Sequence, residues 1–228
     1  MLPFRDNIPS RTFPIVTILL ILTNCAVFIY ELSLGSRLPA FIFQFAVIPM
    51  RLQMPSSADA ASLGAIDLFT SMFLHGGWLH LLGNMWFLWI FGDNVEDLLG
   101  HIRFLFFYLC CGIAGSLIHI FFNPGSTIPS IGASGAIAGV LGAYVVSFPF
   151  ARVLTLIPIF LIWPIVELPA ILVLGMWFLV QLLNGAAALD PRFGAHNPVA
   201  WWAHIGGFLA GIILLALLKR ERPGWSRL

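Results

Sequence analysis

The chain has 228 residues, of which 60% are hydrophobic and only 9% are charged, and its formal net charge is +1. Soluble domains carry about 25% charged residues, so this composition excludes a soluble fold and predicts an integral membrane protein. The balanced charge gives no basis for a nucleic-acid partner. The three cysteines lie in apolar runs, which is typical of small core residues and not of a disulfide framework.

Six apolar segments are candidates for membrane-spanning helices, each of which needs about 20 mostly apolar residues. In chain order they are residues 14–34, 79–98, 102–122, 133–149, 168–186 and 199–218. The fourth segment is short. The predicted fold is therefore an all-α membrane protein with six transmembrane helices. We expect it to form a single domain over residues 1–228, with short tails at about 1–13 and 219–228.

The connections between these helices are apolar as well. The long first connection, 35–78, is too apolar for a disordered linker, so we expect it to be partly ordered at the bilayer interface. The segment 155–167 is interrupted by Pro158 and Pro164 and is expected at the cytoplasmic interface or as a re-entrant segment. The uncharged connection 123–133 is rich in helix breakers and is expected to border a cavity, where irregular backbone is tolerated.

The placement of lysine and arginine predicts the orientation. With six spans both termini lie on one side, and that side carries eight of the 11 Lys and Arg residues. Positive charge is retained on the cytoplasmic side, so both termini are predicted to be cytoplasmic. The connections 35–78, 123–133 and 187–198 would then face outward.

Ser134 lies in the string Gly132-Ala133-Ser134-Gly135, at the start of the fourth predicted helix. A helix N-terminus offers free N–H groups and a positive dipole end, which favour an oxyanion beside a nucleophilic serine. Taken alone, the string is more typical of a helix N-cap or of a small-residue packing face than of a catalytic serine.

His204 lies near the start of the last predicted helix, followed on the same face by Gly207 and Gly211. If this glycine face packs on the glycines of the fourth helix, His204 comes near Ser134 and can act as its general base. The alternative is a structural histidine that is hydrogen-bonded between helices.

His80 and Asn84 share one face of the second predicted helix, since they are four residues apart. Both can donate hydrogen bonds, so they could complete an oxyanion hole. A metal site with His75 or His204 is disfavoured because no carboxylate or cysteine joins the set at ligand spacing. Hydrogen bonding between helices is the other alternative, and His75 itself is expected to brace the long connection.

These features, in this order on these spans, resemble the rhomboid family of intramembrane serine proteases. The resemblance also includes the strings Phe73-Leu74-His75-Gly76 and Glu167-Leu168-Pro169-Ala170, and it covers roughly residues 41–218. One departure is Ile66-Asp67, where the family often has a Trp-Arg pair. That departure concerns the geometry of the first connection and not the chemistry.

The resemblance implies a dyad in which Ser134 is the nucleophile and His204 the general base, without a cofactor or metal. His80, Asn84 and the Ser134 backbone N–H would hold the oxyanion, and Gly132 would keep its loop close to the scissile carbonyl. Substrates would be transmembrane proteins, admitted from the lipid bilayer when the fifth helix moves aside. The expected location is a prokaryotic plasma membrane, with the active site opening to the outer face.

Two other functions are compatible with the polar core. One is a catalytically silent rhomboid-like protein that binds membrane clients, but such relatives characteristically lack the serine or the histidine, and this chain has both. The other is a small transporter or channel, which would usually show inverted repeats or paired broken helices. The sequence shows one broken element only.

Overall fold

The computed structural model describes residues 1–53, 58–158, 161–190 and 199–219. In chain order the elements are β1 (Leu2–Asp6), α1 (Ile15–Ser33), α2 (Leu38–Phe45), α3 (Pro49–Gln53), α4 (Ala58–Thr70), α5 (Trp78–Leu99), α6 (His101–Phe122), α7 (Ser134–Ser147), β2 (Arg152–Leu156), β3 (Ile165–Pro169), α8 (Ala170–Ala187) and α9 (Trp201–Leu218). The predicted tail beyond residue 219 and most of the connection 187–198 lie outside the described residues.

All six predicted helices are present as α1, α5, α6, α7, α8 and α9, with ends within two residues of those predicted. Four of the described helices, α1, α6, α8 and α9, are long and apolar enough to cross a membrane. Helix α7 has 14 residues. At 1.5 Å per residue it is about 21 Å long, less than the hydrocarbon thickness of about 30 Å. The chain is thus a helical membrane bundle, and the count of six spans stays a prediction.

The prediction of a helical membrane fold is confirmed for most of the chain, but the all-α prediction missed a three-stranded antiparallel sheet formed by β1, β2 and β3 in that order. Strands β2 and β3 flank the proline-interrupted segment, which is therefore a hairpin. Strand β1 comes from the predicted N-terminal tail, which is part of the fold. This pairing joins segments about 150 residues apart, as Leu2 opposite Leu156 shows, so no local pattern could reveal it.

The sheet defines one end of the bundle, called here the sheet end, because β2 follows α7 and β3 leads directly into α8. Strand β1 is fixed there by the indole N–H of Trp86 on α5, which donates to the Pro3 carbonyl at 2.6 Å. The Tyr144 hydroxyl on α7 donates to Asp6. The opposite end, where α5, α7 and α9 begin, is called the site end.

Two acidic residues at the sheet end of α5 cap the start of α1. Glu96 accepts the backbone N–H groups of Val16 at 2.9 Å and Thr17 at 2.8 Å. Asp97 accepts the backbone N–H of Thr12 at 3.0 Å. These carboxylates satisfy N–H groups that have no partner inside the helix and complement its dipole. Glu96 and Asp97 therefore have a structural role, and nearby Arg103 donates to the Leu218 carbonyl at 3.1 Å.

The first connection is ordered in the part that the structure describes. Arg51 pairs with Asp67 at 2.9 Å, and its second terminal nitrogen donates to the Phe43 carbonyl at 2.5 Å. The Thr70 hydroxyl donates to the Phe45 carbonyl at 2.9 Å. Asp67, which departs from the family pattern, is thus the residue that ties α3 to α4.

We expect Glu96→Gln to destabilise the protein by about 2–3 kcal/mol, because an amide cannot accept all the hydrogen bonds of the buried carboxylate and leaves buried donors unpaired. Thermal unfolding in detergent micelles measures the change. The control is Glu167→Gln, whose ion pair with Arg152 at 3.4 Å is exposed and contributes about 0–1 kcal/mol. Equal losses in the two variants would contradict a capping role for Glu96.

Candidate active site

Ser134 and His204 meet at the site end of the bundle. Ser134 is the first residue of α7 and His204 lies in the first turn of α9. The Ser134 Oγ is 2.8 Å from the His204 Nε2. Both side chains are partly exposed. The structure therefore brings together a hydroxyl and a base at a helix N-terminus, an arrangement suited to nucleophilic attack on a carbonyl.

The pair forms because α7 and α9 touch backbone to backbone. A Cβ atom on Gly207 would lie 1.9 Å from the Gly135 carbonyl oxygen, and one on Gly211 would lie 2.1 Å from that of Gly139. No side chain fits at these two positions without moving a helix. The sequence predicted this contact from the glycine spacing. The two helices approach closely here because glycine has no side chain to separate them.

His80, Asn84 and Gly132 form the second part of the site. Gly132 has φ of +123°, and a Cβ on it would lie 2.6 Å from the His80 Nε2 and 3.6 Å from the Asn84 Nδ2. The Gly76 N–H donates to the His80 Nδ1 at 3.4 Å, so a neutral His80 carries its proton on Nε2. Two side-chain donors therefore converge on the loop two residues before Ser134.

His75 holds Asn84 in place. Its ring is buried, and its Nε2 lies 3.0 Å from the Asn84 Nδ2, which can only donate. Burial lowers the pKa of His75, which keeps the ring neutral and able to accept. The His75 backbone N–H is held in turn by the Glu31 carboxylate at 3.3 Å. One amide hydrogen of Asn84 is left for a further acceptor.

Gln181 is the residue near the site to which sequence reasoning gave no role. It lies on α8, is 5% exposed, and its Oε1 is 2.8 Å from the His204 Nδ1. The available signal was a buried-type polar residue within a long apolar helix, which is a functional candidate by default. Trp177, one turn earlier on α8, lies with its ring centroid 5.9 Å from that of His204.

A cavity of about 170 Å³ lies beside Gln181, between α5 and α8, where its lining includes Phe87 and Trp177 as well as Met1 and Pro3 at the N-terminus. Another, of about 50 Å³, is lined by residues 126 and 128–130 and by Trp201. The connection predicted to border a cavity therefore does so, and it is fixed by backbone pairing between Ser130 and Val47.

The described part of the chain contains no group of three or more His, Cys, Asp or Glu residues placed to hold a metal ion. His75 and His80 are close, with ring centroids 5.1 Å apart, but the partner of the His75 Nε2 is the amide nitrogen of Asn84. An amide nitrogen is a donor and not a metal ligand. The polar groups at the site end therefore suit hydrogen bonding to an anion better than metal coordination.

Comparison with known proteins gives a consistent family. A family model described as a Rhomboid domain matches residues 63–221. "RHOMBOID-like protein 6, mitochondrial" of Arabidopsis thaliana is 32% identical over 84% of this chain and 61% of that protein. "RHOMBOID-like protein 1" of the same plant is 30% identical over 93% of the chain and 56% of that protein. "Rhomboid protein 1, mitochondrial" of Saccharomyces cerevisiae is 33% identical over 65% of the chain and 40% of that protein.

This chain thus spans from two fifths to three fifths of the length of these relatives. The relatives come from a plant and a yeast, and two of them are named as mitochondrial. These relatives therefore do not support the expected location in a prokaryotic plasma membrane.

We expect Gly211→Ala to destabilise the protein by about 1–3 kcal/mol, because the added methyl group meets the backbone of α7. Gly83→Ala is the matched control, since a Cβ at Gly83 on α5 meets nothing within 4 Å. Replacing a helical glycine by alanine at such an open site is neutral or stabilising. Thermal unfolding of both variants in detergent measures the difference, and equal stability would refute the tight α7–α9 contact.

Proposed function

The chain belongs to the rhomboid family, and on that basis we propose that it is an intramembrane serine endopeptidase that cleaves transmembrane segments of other membrane proteins. The observation that carries this proposal is the hydrogen bond between the Ser134 Oγ and the His204 Nε2 at 2.8 Å. Because both members of the dyad are present and paired, a cutting enzyme is favoured over a silent client-binding protein.

In the proposed reaction, His204 Nε2 takes the proton of the Ser134 hydroxyl as Oγ bonds to the carbonyl carbon of the scissile peptide. The tetrahedral intermediate collapses when the imidazolium gives that proton to the leaving amine, which breaks the C–N bond. Water, deprotonated by His204, then hydrolyses the acyl-serine ester and restores the Ser134 hydroxyl. An imidazole base suits these transfers because its ordinary pKa is near neutrality.

The negative charge on the carbonyl oxygen needs donors that are already oriented. The Ser134 backbone N–H, at the start of α7, has no partner within the helix and lies at its positive end. His80 Nε2–H and the second amide hydrogen of Asn84 would complete the hole, since both groups lie against Gly132. Fixed donors of this kind stabilise a developing oxyanion strongly in a site of low dielectric constant.

Substrate access is proposed to run between α5 and α8. The cavity of about 170 Å³ lies between these helices, and α8 presents a largely exposed, apolar surface to the surroundings. A transmembrane substrate that displaces α8 would reach Ser134 from the bilayer. The site end is assigned to the outer face from the distribution of lysine and arginine.

We expect Ser134→Ala and His204→Ala each to lower the cleavage rate by at least about 1000-fold, because each removes one member of the dyad. Cleavage of a single-span reporter protein in proteoliposomes measures the rate. Ser147→Ala is the matched control, since Ser147 lies at the far end of the same helix α7. A Ser134→Ala variant that still cuts would overturn the proposal, as would failure of a serine-directed fluorophosphonate to label Ser134 in the wild type.

We expect Asn84→Ala to lower kcat by about 100-fold, through loss of one oxyanion donor. Asn123→Ala is the control, since the Asn123 side chain, at the end of α6, bonds to His119 of that helix. Steady-state cleavage kinetics of the two folded variants distinguish them. An unchanged kcat for Asn84→Ala would remove Asn84 from the proposed oxyanion hole.

A further inference from the structure

Each ring nitrogen of His204 has a partner. Nε2 lies 2.8 Å from the Ser134 Oγ, and Nδ1 lies 2.8 Å from the Gln181 Oε1. We propose that Gln181 is a positioning residue that fixes the tautomer and the orientation of His204, so that serine, histidine and glutamine act as one hydrogen-bonded chain. This inference rests on the proposed protease function.

The amide of Gln181 has one orientation that satisfies its neighbours. Its Nε2 donates to the Trp177 carbonyl of the same helix at 3.1 Å. The opposite orientation would set the amide oxygen against that carbonyl oxygen, two acceptors with no proton between them. The Gln181 Oε1 therefore faces His204 as an acceptor.

The orientation of the amide decides the tautomer of His204. An acceptor at Nδ1 requires that Nδ1 carry the proton, so a neutral ring has its lone pair on Nε2. That lone pair faces the Ser134 hydroxyl, which is the arrangement needed to remove a proton from it. With the other tautomer, Nε2–H would face the hydroxyl and could not act as a base.

A neutral amide suits this position better than a carboxylate. His204 and Gln181 lie on α9 and α8, two helices that are apolar enough to span the membrane. A carboxylate there would bring a charge into surroundings of low dielectric constant, which is unfavourable unless the charge is paired throughout the cycle. No Asp or Glu among the described residues bonds to His204.

The hydrogen bond between His204 and Gln181 also connects the proposed base to α8, the helix beside the proposed substrate entrance. Gln181 and Trp177 both lie on α8 and line the cavity between α8 and α5, and the Trp177 ring packs near His204 at 5.9 Å. Because the acceptor is on α8 and the histidine is on α9, a displacement of α8 from α9 lengthens the bond and releases the ring. The base is thus fully oriented when α8 packs on α9 again after a substrate has entered.

The test uses three full-length variants in proteoliposomes with the single-span reporter. Gln181→Leu keeps a similar volume but removes the acceptor, and we expect kcat to fall by about 10- to 100-fold while KM changes by less than about twofold. Gln181→Glu restores an acceptor for Nδ1–H, at the cost of a charge in the apolar surroundings, and should recover part of the kcat that Gln181→Leu loses. Asn184→Leu is the control, since Asn184 bonds to the Val180 carbonyl of its own helix, and its kcat should match wild type.

A spectroscopic measurement separates this role from a loss of packing. In protein labelled with ¹⁵N-histidine, with His204 assigned from the His204→Ala spectrum, the wild-type ring should be protonated at Nδ1 and bare at Nε2. Gln181→Leu should show a mixture of tautomers. If Gln181→Leu keeps both the wild-type tautomer and kcat, the positioning role is overturned. If the wild type cuts no reporter, the protease proposal fails instead, and the tautomer still tests the bond between Gln181 and His204.

Discussion

The site depends on one contact, the close approach of the α7 and α9 backbones through glycine. A Cβ atom on Gly207 or Gly211 would lie 1.9 or 2.1 Å from the facing carbonyl oxygen, much closer than two such atoms can approach. In lipid there is little hydrophobic force between helices, so van der Waals contact over such flat surfaces stabilises their association. The same contact sets the first turns of α7 and α9 side by side. Ser134 lies beside His204 because the backbones of α7 and α9 are in direct contact.

The two ends of the bundle are built differently around this contact. At the sheet end, Glu96 and Asp97 cap α1, and β1 crosses beneath α5 and α7 to pair with β2. At the site end, the connection before α7 is irregular, borders a cavity and is held by two backbone hydrogen bonds between Ser130 and Val47. Buried carboxylates at the sheet end thus satisfy backbone N–H groups. At the site end, polar side chains and irregular backbone lie where the proposed reaction would take place.

The sequence predicts the helices well and their polar partners less well. Apolar length sets the helix ends to within two residues, and the glycines three and seven residues after His204 are enough to place it against Ser134. The sheet was missed because its pairing joins distant segments, one of them a supposed tail. Gln181 was given no role because a lone polar residue in an apolar helix carries no periodic signal of which neighbour it faces. Asp67 read as a departure from a family pattern, and only its contact with Arg51 reveals a structural role.

His204 and Asn84, two residues of the proposed mechanism, are each held by a side chain from another part of the chain. Gln181 on α8 accepts from His204, and the His75 ring bonds to Asn84 on α5 while the Glu31 carboxylate on α1 accepts the His75 backbone N–H. Among the described residues no carboxylate bonds directly to Ser134, His204 or Asn84, and Glu31 reaches Asn84 only through His75. Donors that are oriented in advance stabilise a developing oxyanion most strongly in a site of low dielectric constant. The proposed enzyme therefore needs α7 and α9 to be fixed relative to each other, which returns the requirement to the glycine contact between them.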